Sequence, residues 1–203
     1  QEDEFALMSL GIPSVYRGFF RPDRLVETAE WLAHEYWLEQ SNQYELSKWI
    51  RFLELAQPDS GCRLLLKSPN HLFRLPLLVQ CFPQSRFVLI VREATSCMES
   101  NRKMWRAMFQ MYGLTDCNPE ILDSFLLSAC RAGTDVLNWA RLHLDASNLV
   151  CVHLGELGKS PGQVLRRIGE FLDLPCLDAW LESSELRSKW RLSGREAKLP
   201  EHS

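Results

Sequence analysis

The chain has 203 residues, 46% of them hydrophobic and 24% charged, enough to bury a sizeable core and too ordinary a composition for disorder. A net charge of −3 and a pI near 6.0 exclude non-specific nucleic-acid binding, because a phosphate backbone selects clustered Lys and Arg. Any anion site must therefore be local. No run approaches the roughly 20 apolar residues that cross a bilayer. The acidic start, Gln1 to Glu4, stands where a signal peptide needs positive charge and then an apolar stretch, so no membrane attachment is expected. Seven cysteines, at 62, 81, 97, 117, 130, 151 and 176, are scattered without a Cys-x-x-Cys pair. They read as reduced packing thiols rather than a disulfide framework or zinc site, and point to the cytoplasm. One globular domain over 1–203 is the expectation.

Along the chain, Pro22 and Asp23 open a predicted helix to about Gln40, with Leu25, Ala29, Leu32 and Tyr36 at helical spacing, and a second helix covers Glu45 to Ala56. The loop from Gln57 to Gly61 ends it. Cys62–Lys67 and Arg86–Arg92 read as the first two strands, with Asn70–Cys81 as a helical crossover that Pro76 kinks or shortens. A right-handed βαβ unit is the expected result. From Thr95 to Tyr112, Met104, Met108 and Met111 form an apolar stripe beside Trp105 and Phe109, and Gly113 caps the end. Asn118 then caps, and Pro119 begins, a long helix with Leu122, Phe125, Leu126, Ala129, Val136, Leu137 and Ala140 on one face. Asn148–His153 is a third short strand. Ser160 and Pro161 repeat the cap-and-proline signal before an amphipathic helix carrying Val164, Leu165, Ile168, Phe171 and Leu172, and Leu181–Trp190 suggests a last helix. The pattern is α/β, a parallel sheet flanked by helices, with no internal repeat and no linker.

In an open parallel sheet, ligands bind at the carboxyl ends of the strands. Lys67 and Arg92 close the first two predicted strands, and Ser100 follows with a free hydroxyl. Two cations at such strand ends suggest an anionic, phosphorylated ligand.

The same residues carry a resemblance. Leu66-Lys67-Ser68-Pro69-Asn70-His71-Leu72, the Phe82-Pro83 pair, and Arg92 with Ser100 eight residues later match, in order and spacing, the sulfotransferases that use 3'-phosphoadenosine 5'-phosphosulfate. A weaker match continues through Leu157-Gly158-Lys159-Ser160-Pro161. The resemblance implies a P-loop-like sulfotransferase fold and transfer of a sulfuryl group from 3'-phosphoadenosine 5'-phosphosulfate to a hydroxyl or amine of a small-molecule, glycan or peptide acceptor, with no metal. It implies Lys67 as the cation at the transferring group, His71 as the base, and Arg92 with Ser100 as the anchor of the donor's 3'-phosphate. Those roles suit the chemistry: charge moves onto the bridging oxygen of the departing phosphate, imidazole changes protonation near neutral pH, and guanidinium forks onto phosphate.

Two features depart from the family. No Gly/Ser/Thr-rich loop precedes Cys62 to hold the 5'-phosphosulfate. The usual Tyr-Glu-Asp-Leu reads Leu154-Gly155-Glu156-Leu157. With Gln1 at the start, the sequence is therefore expected to be a processed or truncated product, the C-terminal portion of such an enzyme. It would be inactive by itself, with exposed apolar surface that favours a homodimer. A non-catalytic nucleotide-binding or interaction module derived from the same fold is the alternative. A kinase-like phosphotransferase would need a Gly-x-x-x-x-Gly-Lys-Ser/Thr loop, and Gly155 to Ser160 lacks the first glycine at the right distance.

Overall fold

A computed structural model describes residues 4–11, 14–33, 43–56 and 63–175, together with 179 and 181. The predicted loop at 57–61, the residues 34–40 of the first predicted helix, and nearly all of the helix expected at 181–190 lie outside the described residues. The chain forms two compact units, Gln1–Pro83 with Ala94–Ala140, and Gln84–Glu93 with Arg141–Ser203. The fold is α/β, mostly helical with one parallel two-stranded sheet among the described residues.

The first unit contains α1 (Glu4–Ser9), α2 (Leu25–Ala33), α3 (Gln43–Ala56), α4 (Leu75–Cys81), α5 (Ala94–Tyr112) and α6 (Pro119–His143), the last helix running past the unit's boundary at Ala140. Short 3-10 segments cover Val15–Phe19, Pro22–Arg24 and Pro69–Arg74. Its core gathers Val15, Tyr16, Phe19, Leu25, Trp105, Leu122, Phe125 and Leu126. Trp105 is the hub, with ring centroids 4.4 Å from Phe19 and 4.8 Å from Phe125. Gly18 is the close approach that permits this: a Cβ there would meet Leu25 Cδ2 at 2.6 Å and the Trp105 ring at 3.1 Å. The long helix α6 starts as its sequence requires, Asn118 Oδ1 accepting from the Glu120 amide at 2.8 Å with Pro119 in the first turn.

The second unit holds β1 (Phe87–Val91) and β2 (Leu149–His153), paired in parallel from Phe87 opposite Leu149 to Val91 opposite His153. The Phe87 amide donates to the Asn148 carbonyl at 2.7 Å, and Asn148 Nδ2 donates to the Ser85 carbonyl at 3.2 Å, which sets the register where the strands begin. The helices α7 (Leu154–Lys159) and α8 (Pro161–Leu172) pack on β2. The helix α8 closes on Asp173 in the left-handed region, the Leu174 amide reaching the Gly169 carbonyl at 2.9 Å.

Several expectations are corrected. Residues 63–68 have no regular secondary structure, so the predicted first strand and its βαβ unit do not form among the described residues; no strand pairs with this segment, and Leu64 and Leu65 are exposed. The parallel connection instead runs from β1 to β2 through α5 and α6. The crossover divides at Arg74 into a 3-10 turn and α4, because Pro76 fits the first turn of a new helix and not the interior of an old one. The buried side of α5 is Trp105, flanked by half-buried Met98, Met108 and Phe109, while Met104 and Met111 are exposed: the large indole, not the methionine spacing, selects the inward face. Gly113 does cap α5 as expected, directly after Tyr112, its amide donating to the Phe109 carbonyl at 2.9 Å, with a φ that is not positive. The five described cysteines, 81, 97, 117, 130 and 151, are free and half-buried.

Candidate functional site

The segment from Lys67 to Arg74 is built by Ser68 and Pro69. The residue before a proline is pushed to extended backbone, and Ser68 at φ −148 and ψ 137 obeys. From there its hydroxyl accepts from the Asn70 amide at 3.1 Å, capping the 3-10 turn that Pro69 opens. Lys67 stands exposed just before this cap.

Beneath the turn lies a polar network that the sequence reading missed. Glu4 of α1 is fully buried. Arg74, at the end of the turn, forks onto it, Nη1 donating to Oε2 at 2.9 Å and Nη2 to Oε1 at 3.0 Å. Ser68 Oγ also donates to Glu4 Oε2, at 2.9 Å. One carboxylate thus ties both ends of the turn to α1. Burial works to raise the Glu4 pKa, but hydrogen bonds and charge from Arg74, with hydroxyls from Ser14 and Ser68, outweigh it and lower it to about 2. A charged residue inside the apolar run Leu72–Val79 was the available signal for Arg74; nothing in the acidic start of the chain singled out Glu4.

His71 is half-buried. Its Nδ1 lies 3.2 Å from Arg74 Nη1, and its ring packs against Trp49 of α3 at 5.6 Å between centroids. Its Nε2 is shut off from solvent, and nearby Trp49 Nε1 and Asn70 Nδ2 are buried without a hydrogen-bond partner among the described residues. Such enclosed donors suit an oxygen-rich ligand or ordered water.

Of the other predicted site residues, Ser100 is exposed on α5, in the same unit as Lys67 and His71, whereas Arg92 is the exposed residue directly after β1 and belongs to the second unit. The Gly155–Ser160 stretch forms no phosphate loop: Leu154–Lys159 is helical. Its acidic residue pairs locally, Arg167 Nη2 reaching Glu156 Oε2 at 3.3 Å. Among the described residues no group of His, Cys, Asp and Glu is placed to hold a metal ion, and no helix is long and apolar enough to cross a membrane.

The chain matches the sulfotransferase family model over residues 5–179 and belongs to that family. It is similar to the omega-hydroxy-beta-dihydromenaquinone-9 sulfotransferases of Mycobacterium bovis and Mycobacterium tuberculosis, each 29% identical over 185 residues, covering 89% of this chain and 47% of theirs. The chain thus spans about half the length of the curated relatives it matches. No solved structure matches it.

Proposed function

We propose that the protein transfers a sulfuryl group from 3'-phosphoadenosine 5'-phosphosulfate to a hydroxyl on a lipophilic small molecule, with residues 1–203 working as one sulfotransferase-like domain. The family match over residues 5–179 carries this reading, and the turn anchored by Glu4 and Arg74 supports it by holding the Lys67–His71 segment in a defined geometry. The lipophilic acceptor is taken from the name of the relatives, which act on a menaquinone. Lys67 supplies the charge facing the bridging oxygen as the bond from sulfur breaks. His71 serves beside it, its assigned task being the acceptor's proton. Arg92 and Ser100 bind the 3'-phosphate, on the strength of the resemblance.

Calorimetry with 3'-phosphoadenosine 5'-phosphate tests the donor half without knowledge of the acceptor. Hydrogen bonds to charged groups contribute roughly 1.5 to 3 kcal/mol, so Arg92→Ala weakens binding about tenfold or more and Ser100→Ala less. Equal affinity for adenosine 5'-phosphate and the bisphosphate would overturn the assignment.

A further inference from the structure

Met104, Met108 and Met111 stand at i, i+4 and i+7, neighbours along one side of α5, yet the core takes Trp105 and leaves Met104 and Met111 exposed. The apolar surface continues around the end of the helix. Tyr112 and Phe20 lie with ring centroids 6.0 Å apart, and the Leu114 amide donates to the Phe20 carbonyl at 3.0 Å, so two segments meet there. Met111 is 65% exposed and Leu114 75%, with Phe20 and Tyr112 exposed beside them. A monomer's surface rarely gathers large apolar side chains into one continuous face without a partner. The charges of this stretch have one sign. From Asn101 to Thr115 the sequence carries Arg102, Lys103 and Arg106 and no Asp or Glu; Asp116 is the first acid after it. Arg102 turns to Asp123 of α6 at 2.7 Å, whereas Lys103 and Arg106 are exposed. Lys103 stands four residues before Ala107, itself between Met104 and Met111 on the helix surface. The acid tied to this corner is neutralised: Asp23 accepts from Thr115 Oγ1 at 2.7 Å and is forked by Arg21 at 2.7 and 3.0 Å.

We infer that the face of Phe20, Met104, Met111 and Leu114, bordered by Lys103 and Arg106, docks on an anionic phospholipid surface. The apolar side chains enter the headgroup boundary while the two cations reach the lipid phosphates along their own alkyl stems. Methionine suits such a face, since its unbranched, polarisable side chain adapts to an irregular apolar surface. A second copy of the chain fits less well. A symmetric dimer through this face would set its cations against their own copies, with no acid in the stretch to receive them. The inference rests on the proposed reading of a lipophilic acceptor, which the enzyme meets at that surface, and it replaces the expectation of no membrane attachment. Docking of this kind needs no spanning helix, and none is present among the described residues.

Co-sedimentation with vesicles tests this. The wild type is expected to bind vesicles of phosphatidylglycerol and phosphatidylcholine, and to lose most of that binding when salt is raised or phosphatidylglycerol is left out. Each Lys or Arg at such a surface contributes about fivefold in affinity, so Lys103→Ala with Arg106→Ala weakens binding about tenfold or more. Met111→Glu with Leu114→Glu, both at exposed positions, weakens it as much with the melting temperature unchanged. No binding by the wild type, or equal binding by either folded variant, overturns the inference. Self-association that Met111→Glu with Leu114→Glu abolishes, in the absence of vesicle binding, would overturn it in favour of a second copy. In the active form of the protein, the same variant loses about tenfold or more in transfer to a long-chain alcohol held in vesicles and keeps transfer to a short, water-soluble one. Equal loss on both alcohols overturns the docking role. Transfer to neither by the wild type would be a failure of the proposed function, which vesicle binding distinguishes from a failure of the docking face.

Discussion

Glu4 concentrates a physical conflict in one residue. Burial of a carboxylate is unfavourable unless charge and hydrogen bonds compensate, and here the Arg74 fork with Ser14 and Ser68 wins, bringing the pKa from 4.5 to about 2. A pKa depressed on folding means stability that is fully present above the unfolded value and lost as pH falls through the folded one. At 1.36 kcal/mol per pKa unit the shift corresponds to roughly 3 kcal/mol, all of it lost between about pH 4.5 and pH 2. Denaturant unfolding across that window is expected to show a steeper acid-dependent loss in the wild type than in Glu4→Gln, the remaining slope coming from other carboxylates with lowered pKa such as Asp23 and Asp145; Glu4→Gln is less stable by about 3 kcal/mol or more at pH 7 because Arg74 is left buried without its counter-ion. Parallel stability curves for the two proteins below pH 4.5 would contradict the assigned pKa.

At the scale of the element, termini decide more than interiors. The start of α6 is set by the Asn118 side chain on the Glu120 amide and by Pro119 in the first turn, so Asn118→Ala is expected to lower stability by about 1 kcal/mol with the helix otherwise intact. Thermal unfolding monitored by circular dichroism checks it; no change would mean that the tertiary contacts of Phe125 and Leu126 fix the boundary by themselves. The end of α5 follows a different rule. Gly113 closes onto the Phe109 carbonyl, and an added Cβ would sit 2.6 Å from that oxygen, so the glycine is required by close approach and not by a left-handed φ. The Met104–Met111 stripe failed as a guide to α5 for a related reason. Methionine spacing describes a helix face, but the partner surface of Phe19 and Phe125 accepts a flat indole, and Trp105 takes that place.

For the molecule as a whole, function is expected to divide between residues that bind and residues that act during transfer. Lys67 is exposed beside a firmly capped turn, so its removal leaves the core untouched. Lys67→Ala is expected to fold with unchanged melting temperature, to bind 3'-phosphoadenosine 5'-phosphate within about threefold of wild type, and to lose about 10²-fold or more in turnover in the active protein, because its charge acts mainly when the bond to the bridging oxygen breaks. Calorimetry and a labelled-sulfate transfer assay separate the two effects. Loss of binding in proportion to turnover would make Lys67 a ground-state ligand instead.

What the sequence by itself determined is local. Short continuous apolar runs with turn residues at their ends placed β1 and β2 to within a residue, because the strands of a parallel sheet need that composition wherever they lie. Cap chemistry placed α6, since Asn118 accepts from the amide two residues on and Pro119 fits the first helical turn. The segment Leu66–Leu72 was legible as a capped turn because Ser68 and Pro69 act on their neighbours in the chain. The tertiary structure alone decided what depends on partners distant in sequence. Residues 63–68 have a strand's composition, yet no described strand lies beside them to take their hydrogen bonds. Glu4 and Arg74 are 70 residues apart; a carboxylate in an acidic stretch becomes the buried anchor of the turn only once α1 is folded against it.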